Sequence, residues 1–427
     1  MMRTEISPLK IIDIKDLSLD RGAHLLINRA LADLPVGAKL GIRGSAPELA
    51  IHLRGWCRAQ GHKVIWNDAP SSNAANDSTK SSSDENDSAT SPLIGWIVRG
   101  SALAGRWQNA ETAGLADYQV VGAILDEPSA RWGLAARGAT VETSAPEFYF
   151  GLNQKAQVWA ENVPRLYAQA AAAQWNPATA INWDEAFEIP DEVETAIVQI
   201  MTYLIENETA AMLVPARFLA QIHPHFREAM QLLAIQVADE ARHIEVFTRR
   251  ATLRRNELGL STASGQASLK TLIDEPDFTL AAFLLSVLGE GTFLNLLWFL
   301  ETHAPDPVTR AVARLAAQDE ARHVAFGMGH LQYQISKDET ARPRLAQAIH
   351  RRHDVLAQTS GLNEAVFDAL VLLAAGEWRV EAIAEGFKQV QQLQTEMDAG
   401  RQARLLKLGF SEKEARELSA LHTRNFM

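Results

Sequence analysis

The sequence predicts a mainly α-helical chain, with a small α/β region at its N-terminus and four long helices followed by further helices. Three observations carry this. Helical periodicity runs almost unbroken from Asp191 nearly to the end of the chain. Short runs rich in aromatic and β-branched residues dominate the first 101 residues. One pentapeptide, Asp-Glu-Ala-Arg-His, occurs twice, at 239–243 and at 319–323.

The 427 residues are 47% hydrophobic, enough to build a large core. A net charge of −11 argues against nucleic acid or an anionic membrane as partner. Cys57 is the only cysteine, so neither an internal disulfide nor a thiolate metal cluster can form. The opening MMRTEISPLK has no apolar core of a signal peptide, and a cytoplasmic location is expected. The stretch Phe278–Leu300 is long and apolar enough to span a bilayer. Its one ionisable residue, Glu290, sits at the centre, where a lone carboxylate is unfavourable in lipid, so a buried core helix is expected instead.

From the N-terminus, IIDIKDLSL reads as a strand, HLLINRALADL as a helix, and LPVGAKLGIRG as a turn and strand. PELAIHLRGWCRAQGHKVIW follows as helix and strand, and IGWIVRG as a further strand. Between the last two, residues 68–92 are Ser-, Asn- and Asp-rich and are expected to be a disordered hairpin tip. Residues 1–101 are expected to form a small α/β domain, and its β-α-β-α-β-β order, over about residues 9–101, resembles the small TusA-like sulfur-carrier fold. That family carries sulfur on a Cys-Pro-x-Pro turn at the start of the first helix. Here the matching stretch is Ser18-Leu19-Asp20-Arg21, so the resemblance implies a binding or interaction role rather than sulfur transfer.

Residues 102–190 read as a connecting region. They hold strand-like YQVVGAILD, a Gly-rich ARWGLAARG, a helix near 156–175 and the loop PATAINWDEAFEIP. The helical domain spans 191–427. Its first four helices are expected near 191–220, 224–253, 277–302 and 307–336, with a long loop at 259–276. Later helices are expected near 342–360, 363–398 and 411–422. Ser411-Glu412-Lys413-Glu414 forms a capping box opening the last.

In each repeated pentapeptide, Glu and His lie three residues apart and so share a helix face. Glu240 with His243 and Glu320 with His323 can each offer one oxygen and one nitrogen to a metal ion. Two such helices facing each other make a two-metal site if the other two helices supply carboxylates. In the third helix Glu290 falls in the apolar row of Phe283, Val287, Leu294 and Leu297. In the first, position 208 falls in the row of Ile197, Met201, Leu204, Ala211 and Met212, whereas Glu206 shares a face with Gln199, Thr202 and Tyr203. Glu208 and Glu290 are therefore the expected ligands. Glu208 precedes Glu240 by 32 residues and Glu290 precedes Glu320 by 30, so the two helix pairs read as an internal repeat. His223, His225, His303, His350 and His353 are expected to face solvent.

The segment 191–330 resembles the ferritin-like di-iron carboxylate superfamily, in style its oxygen-activating branch. The resemblance implies that Glu240 and Glu320 bridge two metals and are the central catalytic carboxylates. It further implies Glu208 with His243 on one metal and Glu290 with His323 on the other. It places Asp319 behind His243 and Asp239 behind His323, with Arg242 and Arg322 neutralising those aspartates. Carboxylate and imidazole without thiolate suit iron, or manganese, better than zinc. The expected activity is oxidation of a small organic substrate with dioxygen as co-substrate. The expected pocket is walled by Ala211, Met212, Gln236, Phe247, Phe293, Leu294, Leu297 and Phe326. An electron-donor protein and a second copy of the chain are admissible partners. Two alternatives compete: a radical-generating reductase subunit, for which Tyr203 lies off the ligand face, and an iron-storage protein, whose subunits are shorter.

Overall fold

The computed structural model describes residues 10–66, 91–101, 105–357 and 364–421. It divides into two compact units, Met1–Ala113 with Gly138–Pro146, and Gly114–Arg137 with Glu147–Met427. Segment 102–190 thus contributes to both.

In the first unit, β1 (Lys10–Asp13), α1 (Ala23–Ala32) and β2 (Lys39–Arg43) form a parallel crossover. Then come α2 (Leu49–Ala59), β3 (Lys63–Trp66) and β4 (Leu93–Val98), giving a mixed sheet of order β1-β2-β4-β3. The two helices bury Ile27, Leu31, Leu49, Leu53 and Cys57 against Leu40, Ile42 and Ile97 of the sheet. Burial pushes the Cys57 thiol up to about 12, so it is a packing residue and not a nucleophile. The first strand is shorter than expected. Asp13 Oδ1 accepts from Lys15 N at 2.8 Å, and Lys15 turns left-handed at φ 51°, which ends it. The antiparallel pairing of β3 and β4 is present. The disorder expected over 68–92 falls almost wholly outside the described residues. A two-residue ladder, β5 (Glu111–Thr112) with β6 (Thr140–Val141), closes the unit.

The second unit begins irregularly. YQVVGAILD is not a strand but a series of turns with Val121 99% exposed. Its apolar residues therefore misled the reading. Two short helices, α3 (Lys155–Val158) and α4 (Val163–Ala172), stand where one was expected. Then come α5 (Asp191–Leu219), a 3₁₀ turn at Pro224–Phe226, α6 (Arg227–Ala251) and α7 (Ala263–Ile273). Next, α8 (Phe278–Ala282), a π-helical segment (Phe283–Glu290) and α9 (Gly291–His303) run as one rod. The unit closes with α10 (Pro307–Lys337), α11 (Ala341–Ala357), α12 (Glu364–Ala375), α13 (Val380–Lys407) and α14 (Glu412–Ala420). The α5, α6, α8–α9 and α10 rods form a four-helix core, and α4 packs on α6 and α10. The apolar rod 278–303 is a core helix, 89% of its most hydrophobic window being buried.

Three expectations are corrected. The 259–276 loop contains α7, capped by the Thr262 side chain accepting from Gly265 N at 3.1 Å. Its buried face is Ser264, Gly265, Ser268, Leu269 and Leu272, largely small and polar, so the apolar pattern was hidden. The single helix expected at 363–398 is broken at Gly376, whose φ of 70° ends α12 while its N–H bonds Leu372 O. His223 and His225 are buried, not solvent-facing. His223 Nδ1 accepts from His225 N at 3.1 Å, and His225 Nε2 accepts from Leu125 N at 2.9 Å. Beside them Arg137 forks onto Glu228 at 2.8 and 2.5 Å. Burial lowers the His225 pKa to about 4.

Candidate metal centre

Each helix of the core brings one face of donors to the bundle centre. On α5 that residue is Glu208, on α6 Glu240 and His243, at the end of the π segment Glu290, and on α10 Glu320 and His323. All six are buried, none more than 5% exposed. They form two overlapping sets. Glu208, Glu240, His243 and Glu320 offer atoms within 4.8 Å of one another, and so do Glu240, Glu290, Glu320 and His323. Glu240 and Glu320 belong to both sets, which is the position of bridging ligands.

The contacts resolve which atom faces which set. His243 Nδ1 lies 3.1 Å from Glu240 Oε2, 3.3 Å from Glu320 Oε1 and 3.8 Å from Glu208 Oε2. His323 Nδ1 lies 3.0 Å from Glu240 Oε1 and 3.5 Å from Glu320 Oε2. Glu240 and Glu320 thus each turn one oxygen to each histidine's side. His323 Nδ1 and Glu240 Oε1 approach closely yet do not hydrogen-bond, and both are without a hydrogen-bond partner. So are Glu208 Oε1, Glu290 Oε2 and both oxygens of Glu320. Buried polar atoms left this way are unfavourable unless a cation takes their lone pairs. Atoms about 3 Å apart without hydrogen-bond geometry are spaced as neighbouring ligands of one ion, each about 2.1 Å from it. Two divalent ions, about +4 in all, would balance the four glutamates. The donor set fits a two-metal group of the iron or manganese kind.

The electrostatics follow from this crowding. Burial, and then the charges of Glu240 and Glu320, hold the Glu208 pKa well above the usual carboxylate range. Burial and Glu320 do the same to Glu290. Burial alone would lower the histidines, but Asp319 and the glutamates drive His243 well above its usual range, as Glu240, Glu320 and Asp239 drive His323.

Behind the donors lies a cross-braced layer. His243 Nε2 is 3.2 Å from Asp319 Oδ2 and His323 Nε2 is 3.3 Å from Asp239 Oδ2, each aspartate coming from the opposite helix. This leaves Nδ1 of both rings facing the cluster. Arg242 donates to Asp239 at 2.5 Å and to Asp319 at 2.9 Å, while Arg322 donates to Asp319. Two members of this layer escaped the sequence reading. Gln174 donates to Asp239 at 2.9 Å and Trp175 Nε1 to Asp319 at 2.8 Å. Both follow α4, far from the motifs, and no local pattern marks them. A third is Gln236, expected in the pocket wall, which instead donates to Glu290 Oε1 at 3.0 Å.

The cavity at the centre is small, about 20 Å³, room for roughly one water-sized molecule. Glu208, Glu290 and Glu320 line it together with Asn207, Ala211, Leu272, Leu285, Gly289 and Phe293. Of the expected wall residues only Ala211 and Phe293 are there; Leu272 comes from α7, the helix that the sequence concealed. Glu206, one residue before Asn207, lines a surface cleft instead.

No family model and no curated protein matches the chain. Among solved structures it is similar to an R2-like ligand-binding oxidase from Sulfolobus acidocaldarius, at 16% identity over 60% of this chain and 94% of that one, with a TM-score of 0.41. An R2-like ligand-binding oxidase with an aerobically reconstituted metal cofactor is similar at 19% identity, over 62% and 95%, with a TM-score of 0.40.

Proposed function

We propose that the chain is a di-iron oxidase or oxygenase that uses dioxygen to oxidise a small organic molecule. The observation that carries this reading is the pair of buried donor sets sharing Glu240 and Glu320. Glu208 and His243 would complete the hold on one ion, Glu290 and His323 on the other. Bound there, a reduced metal pair supplies two electrons to dioxygen, the chemistry that such all-oxygen-and-nitrogen sites support.

The chain's own residues set the conditions. Asp319 and Asp239 accept from Nε2 of His243 and His323, which keeps the proton on Nε2 and leaves the Nδ1 lone pairs for the ions. Gln236 holds one oxygen of Glu290 and turns the other toward the cluster. Phe293, Leu285 and Leu272 give the cavity an apolar wall. A cavity of this size accepts no large substrate as it stands, so the substrate is small or enters as the wall yields. Electrons for further turnovers would come from a separate donor protein.

The test is anaerobic loading with ferrous iron, then exposure to air with oxygen uptake and absorbance recorded. Oxygen uptake beyond that of free iron, abolished in Glu240→Ala, is the expected result. Two bound irons per chain with no such uptake would overturn the reading.

A further inference from the structure

One wall of the metal cavity comes from outside the four-helix core. Leu272 stands on α7, a helix of 11 residues, whereas the other lining residues stand on α5, the apolar rod and α10. Two larger clefts flank α7. One, about 400 Å³, lies between α7 and α5, with an apolar wall of Ile205, Ala210, Leu213, Leu269 and Ile273. The other, about 360 Å³, lies between α7, α11 and the π segment. Sequence neighbours tie each cleft to the metal cavity. Ala210 adjoins Ala211 and Ile273 adjoins Leu272 on the α5 flank, and Leu284 adjoins Leu285 on the other. The short helix thus closes the metal cavity between two clefts into which it can move.

Its attachment suits such movement. Only two large apolar side chains of α7 are buried, Leu269 and Leu272, and the rest of its buried face is Ser264, Gly265 and Ser268. Polar contacts pin its ends. Gln199 pairs with Leu260 N and O at 2.7 and 2.9 Å, and Gly259 N donates to Thr202 Oγ1 at 2.7 Å. At the far end Arg217 donates to Ile273 O and Glu275 O. A short helix with pinned ends and little apolar burial opens more readily than the long rods around it. The α11 flank is closed by side chains, Arg352 donating to Ser268 Oγ at 2.9 Å and Arg351 lying 3.8 Å from Glu275 Oε2. The α5 flank is instead apolar within, and Lys270 at its rim is paired with Asp274.

We propose that Leu272 is the size-selecting gate of the metal cavity, and that a small uncharged apolar molecule seats in the α5–α7 cleft and passes Leu272 as α7 swings outward. A cleft of about 400 Å³ is large enough to hold such a molecule, and the metal cavity, about 20 Å³, is not. As a route for substrate this rests on the oxidase reading above; as a gate in the fold it does not.

Thiol labelling of the full chain tests it, as purified and after chelation. Ala211→Cys puts a thiol in the metal cavity. Its modification by N-ethylmaleimide and by the bulkier N-phenylmaleimide is timed by peptide mass spectrometry, each rate divided by that of a free thiol. Adding Leu272→Ala should speed N-ethylmaleimide at least about tenfold and remove most of its advantage over the phenyl reagent. Leu285→Ala, which removes the same side chain from another wall, should change the rate less than about threefold. No acceleration by Leu272→Ala, or equal acceleration by both, would overturn the proposal. If Ala211→Cys does not fold, hydrogen exchange of the unaltered chain decides. The amides of α7 should exchange at least about tenfold faster than those of α5 over 205–213, and equal protection would overturn the gate. Neither readout needs turnover, so a failed oxygen test leaves the gate standing and a failed gate leaves the metal centre standing.

Discussion

Two groups of acidic side chains are buried in the same helical unit and are treated in opposite ways. In one, Glu194 and Asp306 close on Arg250. The guanidinium forks onto Glu194 at 2.9 and 3.0 Å, donates to Asp306 at 2.9 and 3.3 Å, and reaches Thr309 at 2.7 Å. Every lone pair that matters has a protein donor, and the cluster is complete as the chain folds. In the other, Glu208, Glu240, Glu290 and Glu320 face one another with oxygens that no protein group satisfies. The same sequence that built a closed ion cluster at Arg250 left these four open. Burying four carboxylates against only the two imidazoles of His243 and His323 is unfavourable by several kcal/mol, so the open cluster can take ions that the chain does not itself supply.

The comparison can be broken most severely at Arg250. Arg250→Met leaves Glu194 and Asp306 buried without their cation and should destabilise the protein by about 3–5 kcal/mol. Urea unfolding measures it, and the folded fraction should still bind two metals. A loss below about 1 kcal/mol would mean that the closed cluster is not what it looks like.

The open cluster should respond with the other sign. Glu208→Gln removes a buried carboxyl whose ionised form is disfavoured without a metal, so the metal-free protein should gain stability by about 1–3 kcal/mol while one of the two metals is lost. Elemental analysis with paired metal-free and metal-loaded melting curves reads both effects. Destabilisation of the metal-free form would show that the glutamates are satisfied without ions.

The supporting layer should show a smaller effect. Asp319→Asn or Asp239→Asn should weaken metal binding about 10- to 100-fold through the paired histidine, with the fold retained. Competition with a chelator gives the ratio. Equal affinity in both variants and the wild type would remove the aspartates from the site.

Glu206→Ala is the control with the least expected effect, within about 0.5 kcal/mol in stability and with unchanged metal content. A lost metal there would mean that the α5 face was assigned two positions off.

The donors were legible because a helix is a local object. Glu and His three apart share a face whatever surrounds them, and the apolar row of α5 separates Glu208 from Glu206 without any knowledge of the other helices. The extents of α5 and α10 were legible for the same reason, from their periodicity. Gly376 escaped because one glycine in an apolar run is compatible with either a helix interior or a left-handed stop. The face of α7 escaped because small residues, Ser264, Gly265 and Ser268, can be core only where a neighbour comes close.

By itself, then, the sequence determined the helical class, the doubled Glu-x-x-His pairs and the side of each helix on which a buried carboxylate or imidazole stands, since all of these are set by residues a few positions apart. Tertiary structure alone decided the rest. It chose Gln174 and Trp175 to brace the aspartates, turned Gln236 from pocket wall into a donor to Glu290, and put Leu272 over the cavity. It buried His223 and His225 beneath a stretch that reads as a strand and is not one. Each of these depends on residues tens to more than a hundred positions apart meeting in space. Such meetings leave no period in the sequence, because packing rewards shape and hydrogen-bond fit rather than spacing along the chain.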